Sequence, residues 1–163
     1  KYPNISLKFS SADTDDMFRI LNHNEADVIF TLDNHVYHQD YIIAKEERIS
    51  THFVTGAASP LADKKNLRIE DIIEYPFILT EKKVGYRRLF DEALAKMSYE
   101  LQPVLEIGRT DIITSALEHG KSISFLPDFV TAKKVAEGKI AHLGAFRGNI
   151  PLKQFFMFCF KML

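Results

Sequence analysis

The sequence predicts an α/β fold, and three observations carry that prediction. Strand-length apolar runs such as Val28 to Leu32, Phe77 to Thr80 and Ser122 to Leu126 recur along the chain. Amphipathic stretches separate them, the clearest from Tyr86 to Met97, where Leu89, Phe90, Ala93, Leu94 and Met97 fall at helical spacing. Glu118 to Pro127 then compresses the alternation into ten residues: a helix end, Gly120 as a left-handed stop, a strand around Ile123 and Phe125, and Pro127 to break it. Alternating strands and helices favour a largely parallel sheet, and such sheets bind ligands beyond their strand ends.

Taken in order, Ile5 to Ser10 alternates apolar and polar residues, the pattern of a half-buried strand. Ser11 to Thr14 places capping residues before a helix with Asp15 and Asp16 in its first turn and Met17, Ile20 and Leu21 on one face. Val28 to Leu32 reads as a buried parallel strand, closing a right-handed strand–helix–strand unit. Tyr41 to Ala44 and Ile49 to Val54 are two further strands, and Leu67 to Ile73 is a short helix ended before Pro76. Strands follow at 77–80, 104–107, 122–126, 140–143 and 155–161. Helices run from Tyr86 to Met97, from Ile112 to His119 behind Thr110 and Asp111, and from Val130 to Glu137.

Composition narrows the function. At 163 residues, with 46% hydrophobic and 26% charged residues, the chain can bury a core as one domain or two small ones. A net charge of -1 supplies no basic field for nucleic acid. No apolar run is long enough to span a bilayer. Cys159, the single cysteine, forms no internal disulfide, which points to a reducing, cytoplasmic setting. It sits in an apolar strand and reads as inert core. His35 and His38 lie three apart without a third ligand to complete a zinc set, and no nucleophile elbow or phosphate loop occurs. No catalytic residue, metal ligand or cofactor is assigned. The basic pairs Lys82-Lys83, Arg87-Arg88 and Lys133-Lys134 read as solvated helix faces.

Four segments resemble a known family in order and spacing. Tyr2-Pro3-Asn4-Ile5-Ser6-Leu7 looks like an "hP-x-V-x-L" strand entry. Leu21 to Val28 resembles "L-x-x-G-x-L-D-hydrophobic", with Asn24 at the usual glycine. Ala58-Ser59-Pro60-Leu61-Ala62 is similar to "HPLA", with Ser59 replacing His. Gly120 to Pro127 is similar to "G-x-G-I-x-hydrophobic-L-P", with Ser122 at the second glycine. The family is that of the effector-binding domains of LysR-type transcriptional regulators. The resemblance implies a two-lobed, type 2 periplasmic-binding-protein-like α/β fold, truncated here at both ends. It assigns 1–49 plus 150–163 to an incomplete lobe I and 50–149 to lobe II, with crossings near 48–53 and 144–153. The family's winged helix-turn-helix is absent from the chain, so DNA would be met only through that missing domain. A small-molecule effector, often anionic, would bind between the lobes of a homodimer or homotetramer, without enzymatic chemistry and away from any membrane. The alternatives are a solute-binding protein of a transporter, and an enzyme on the same scaffold.

Three helix entrances are the candidate effector site: 10–14, 80–86 and 108–111. Free N–H groups at helix starts hold carboxylate or phosphate. The candidate ligand-binding residues are Ser10, Ser11, Thr31, Thr80, Tyr86, Arg109, Thr110, Phe125 and Pro127. Several residues at these entrances and in the adjoining strand also have a plainer reading. Ser11, Asp13, Thr14, Thr110 and Asp111 suit helix caps. Arg109 is either a bidentate anion fork or a solvated arginine, and Phe125 is either a pocket wall or core.

Overall fold

One strand organises the molecule. The computed structural model describes residues 3–33, 40–144 and 153–161. The elements in chain order are α1 (Thr14–Asn22), β1 (Ile29–Asp33), β2 (Tyr41–Gly56), a 3-10 turn (Ile69–Asp71), β3 (Ile78–Leu79), α2 (Gly85–Lys96), β4 (Leu105–Glu106), α3 (Thr110–Glu118), β5 (Ile123–Pro127), α4 (Asp128–Ala136), β6 (Ile140–His142) and β7 (Lys153–Lys161). The two strands expected at 41–44 and 49–54 are thus one strand of 16 residues. The polar stretch Lys45 to Arg48 does not interrupt it, because pairing with β7 continues through those residues. A register shift between Ile43 and Lys45 absorbs one residue.

β2 changes partners midway. From Tyr41 to Ser50 it runs antiparallel to β7, which also pairs with β1. From Thr51 to Thr55 it pairs antiparallel with β5, and from Val54 to Gly56 with β6. Parallel pairing is confined, among the described residues, to the short β3–β4 ladder and a bridge between Phe77 and Ile123. The expectation of a largely parallel sheet is therefore corrected. Strand–helix alternation does not identify which strands pair, and the longest strand takes antiparallel neighbours along its whole length.

The first unit is corrected as well. Residues 5–10 form no strand, and Ile5, Leu7 and Phe9 are exposed. Their alternation has no ladder partner among the described residues, and a strand exists only through its ladder. β1 forms as expected, but antiparallel to β7.

Around β2 the sheet is buried on both faces, as period-two geometry requires of continuous apolar runs. Phe53, Phe77, Leu79, Ile123 and Phe125 face the larger core with Tyr86, Phe90 and Leu94 of α2. Their chain neighbours Val54, Ile78 and Leu126 face the opposite way, onto Ile113 and Leu117 of α3. A third, smaller cluster joins Leu21, Ile29 and Cys159. Cys159 is buried, and burial with the nearby Glu46 charge pushes its thiol pKa up.

Turn chemistry explains two of the unusual residues. Asn24 has φ 57, a left-handed conformation that asparagine tolerates without its being glycine. Gly120 does not supply the left-handed cap expected of it, since Gly138 alone of the described glycines has positive φ. Its N–H instead reaches back 3.3 Å to the Leu117 carbonyl. Gly56 is required for space: a Cβ there would stand 2.5 Å from the Leu117 carbonyl oxygen and 3.0 Å from that of Gly120. Gly56→Ala is expected to cost about 1–3 kcal/mol by overpacking. Urea unfolding checks this, and a loss below about 0.5 kcal/mol would show that the end of α3 yields freely.

Candidate functional site

The three helix entrances meet through side chains that are not in the candidate list. Asp13 occupies the N-cap position of α1 in extended geometry, but its side chain makes no capping hydrogen bond. Its carboxylate instead pairs with Lys83 Nζ at 2.9 Å, joining the α1 entrance to the α2 entrance. That hydrogen bond, and then the Asp13 charge, raise the Lys83 pKa. A Cβ on Gly108 would lie 3.2 Å from Glu81 Oε1, so the α3 entrance adjoins the α2 entrance on its other side. Residues 10–14, 80–84 and 108–111 thus form one neighbourhood, although about seventy residues of chain separate the first two.

Arg87 anchors the middle entrance. It lies in the first turns of α2 with its side chain 2% exposed. Its Nε donates to both Asp91 oxygens, at 2.9 and 3.0 Å. Its Nη1 donates to the Thr80 carbonyl and, at 3.3 Å, to Glu106 on β4. The reading of Arg87-Arg88 as a solvated pair is corrected for Arg87, because the turn of the helix points it back at the end of β3. Arg88 does face solvent, paired with Glu92 at 3.2 Å.

The predicted residues divide between this neighbourhood and the core. Ser10 and Ser11 are exposed on the approach to α1. Thr110 is the first residue of α3, half-buried. Arg109 forks onto Asp111 at 2.9 and 2.7 Å, both groups well exposed. Each holds the other charged: the Arg109 pKa is raised and that of Asp111 lowered, chiefly by their hydrogen bond. Thr80 and Tyr86 are buried. Tyr86 belongs to the larger core, where burial pushes its phenol up to about 12 against an opposing Thr80 hydrogen bond. Thr31 is buried on β1 in phase with Ile29, hence on the face of the small cluster. Leu32 next to it packs on the larger core instead. Phe125 stacks in that core, and Pro127 is buried at the end of β5, opposite Thr51.

A groove of about 430 Å³ runs along α2, lined by Lys82, Asp91, Tyr99 and Leu101 among others. Its Arg87 and Asp91 already satisfy one another, and Lys82 and Arg87 link it to the α2 entrance. His35 and His38 lie outside the described residues. A different group, His52, Asp128 and His142, brings metal-ligating atoms together.

Comparison with known proteins places this architecture. The LysR substrate binding domain family matches residues 1–156. An uncharacterized HTH-type transcriptional regulator of Methanocaldococcus jannaschii is 26% identical over 141 residues, covering 83% of this chain and 46% of the relative. A probable nitrogen assimilation transcriptional activator of Synechococcus elongatus is 21% identical over 133 residues, 78% of this chain and 42% of the relative. Among solved structures, the CcmR regulatory domain of Synechocystis PCC6803, in complex with 2-PG, superposes with TM-score 0.79 at 20% identity over 98% of this chain and 76% of that one. The effector-binding domain of QuiR, in complex with shikimate, gives TM-score 0.73 at 15% identity over 92% of this chain and 69% of that one.

An α/β, two-lobed domain of the type 2 periplasmic-binding-protein kind is therefore the class of the molecule. The chain belongs to the LysR substrate binding domain family, the effector-binding part of LysR-type transcriptional regulators. It spans less than half the length of the relatives it matches. Among the described residues, no helix is long and apolar enough to cross a membrane.

Proposed function

We propose that this chain senses a small anionic metabolite where its three helix entrances meet. The observation that carries the reading is the Asp13–Lys83 contact at 2.9 Å together with the closeness of Gly108 to Glu81, where an added Cβ would stand 3.2 Å from Oε1, so that the starts of α1, α2 and α3 adjoin one another. Helix starts offer unpaired N–H groups and a positive dipole end, both suited to carboxylate or phosphate. Lys83 adds a cation whose present partner, Asp13, an incoming anion would displace.

The lobes in this reading are 1–49 plus 150–163 and 50–149. The exchange of β2's partners between Ser50 and Thr51 supports a crossing there. Binding between the lobes favours one arrangement over another and acts by population shift, with no bond made or broken. The sensor works in the cytoplasm as a homodimer or homotetramer, and reaches DNA through a winged helix-turn-helix domain of the whole regulator. CcmR and QuiR domains held with 2-PG and shikimate support a small-molecule ligand of this size. The transporter reading draws no support from these relatives, which are regulators or regulatory domains.

A thermal-shift series with 2-PG, shikimate and other small carboxylates tests the proposal. A ligand at a hundred times its Kd is expected to add about 2.7 kcal/mol of stability. Lys83→Ala is expected to weaken that ligand about tenfold or more, the scale of a hydrogen bond to a charged group. Ser11→Ala and Thr110→Ala should weaken it less. A ligand whose affinity ignores all three changes binds elsewhere.

A further inference from the structure

We propose that His52, Asp128 and His142 form a binding site for a divalent transition-metal ion of the zinc, cobalt or nickel type. The site is set apart from the helix entrances and stands independently of the anion-sensing reading.

Three elements deliver its donors. His52 lies on β2, just past the last residue paired with β7. Asp128 opens α4 directly after β5. His142 ends β6. The register pairs Val54 with His142 and His52 with Leu126, so the two histidines are diagonal neighbours on one face of the sheet. Thr51 opposite Pro127 sets Asp128 beside them. One donor atom from each residue lies within 4.8 Å of the others, and all three residues are half-buried.

Two details favour a cation over a simple polar cluster. Asp128 Oδ1 is shielded from solvent and accepts no well-directed hydrogen bond, although His52 Nε2 stands 2.9 Å away. Among the described residues, His52 is the one group that meets this shielded oxygen, and an ion shared between them would give the oxygen a directed partner. Two imidazoles with one carboxylate also form a recognised donor set for zinc and its neighbours, whereas calcium and magnesium take oxygen alone.

The ring geometry specifies the motion required. His52 and His142 are stacked, with centroids 4.3 Å apart and planes 4° from parallel. Parallel rings send their lone pairs side by side, so a shared ion needs one ring to turn. His142 is the ring that turns, because a single hydrogen bond of 3.0 Å with Thr131 Oγ1 holds its Nε2. Thr131 retains the Asp128 carbonyl at 3.2 Å as its own partner. The bound ion would then tie β2, β6 and α4 together beside the point where β2 changes partners.

The experiment is a cobalt titration of the chelator-stripped chain, read by visible ligand-field absorption, followed by zinc displacement. A single equivalent of cobalt should develop bands that zinc removes, and zinc should raise the thermal midpoint. His142→Ala and Asp128→Asn should each weaken cobalt by at least the roughly tenfold that loss of an outer-shell partner alone produces. Far-UV circular dichroism verifies that each variant is folded. His142→Gln serves if the alanine variant is not. Absence of bands at saturating cobalt overturns the site. So do bands unchanged in both variants, which would move the ion to other histidines such as His23 or His119.

Discussion

Phe125→Ala is expected to lower the stability of the chain by about 4 kcal/mol, within the range for phenylalanine truncation in a packed core. Phe125 is 1% exposed. Its ring stacks on Phe90 with centroids 4.5 Å apart and meets Phe53 at 5.1 Å. Phe53 in turn meets Phe77 edge-on at 6.4 Å. These rings join β5, β2, α2 and the approach to β3, so a cavity at Phe125 opens where four segments lean on one another. Phe125→Leu keeps most of the volume and should cost about 1.5 kcal/mol or less. Urea unfolding of both variants gives the comparison. The result also separates the two readings of this residue. A ring that walls an effector pocket would leave stability within about 1 kcal/mol, in the range of ordinary substitutions, and would weaken ligand binding.

Arg87→Met should cost about 3 kcal/mol. Removing one partner of a buried ion pair costs about 3–5 kcal/mol. The lower end applies because Asp91 and Glu106 are about a third exposed, 33% and 36%, and water recovers part of their solvation. Methionine keeps the stem packed, so the loss measures the guanidinium. Arg87→Lys should recover little, since an ammonium cannot reach Asp91, Glu106 and the Thr80 carbonyl together. Equilibrium unfolding is again the measurement. A cost below about 1 kcal/mol would rank Arg87 with surface pairs.

Local pattern located the elements well, because helices and short strands are recorded in nearby residues. The helix expected from Tyr86 to Met97 is α2, shifted by one residue. The strand expected from Ser122 to Leu126 is β5, shifted by one residue, so that Pro127, expected to break it, is instead its last residue and pairs with Thr51. Residues 5–10 show the limit of that reading. Their alternation is as clear as that of any strand in the chain, yet alternation records a face and not a partner.

The candidate site was legible to the same extent. The three entrances were visible as cap-rich stretches before helices. Lys83 and Asp13 were not recognisable as a pair, since Asp13 looks like any N-cap residue and Lys83 like any solvated lysine. Arg87 sat in a dibasic pair, and helical phase alone leaves open which of two adjacent arginines turns inward. His52, Asp128 and His142 carry no motif spacing, because their approach follows from the registers of β2 with β5 and of β2 with β6.

What the amino-acid order determined by itself was the α/β class, the position of nearly every helix and strand, and the family, all written in residues close to one another. The tertiary structure alone decided the antiparallel partners of β2 and its exchange between Ser50 and Thr51. It also decided the inward turn of Arg87 and the meeting of distant side chains at the helix entrances and at the histidine pair. The physical reason is that periodicity specifies which face of an element is apolar, while contacts between elements depend on strand register and chain path, which no local window contains.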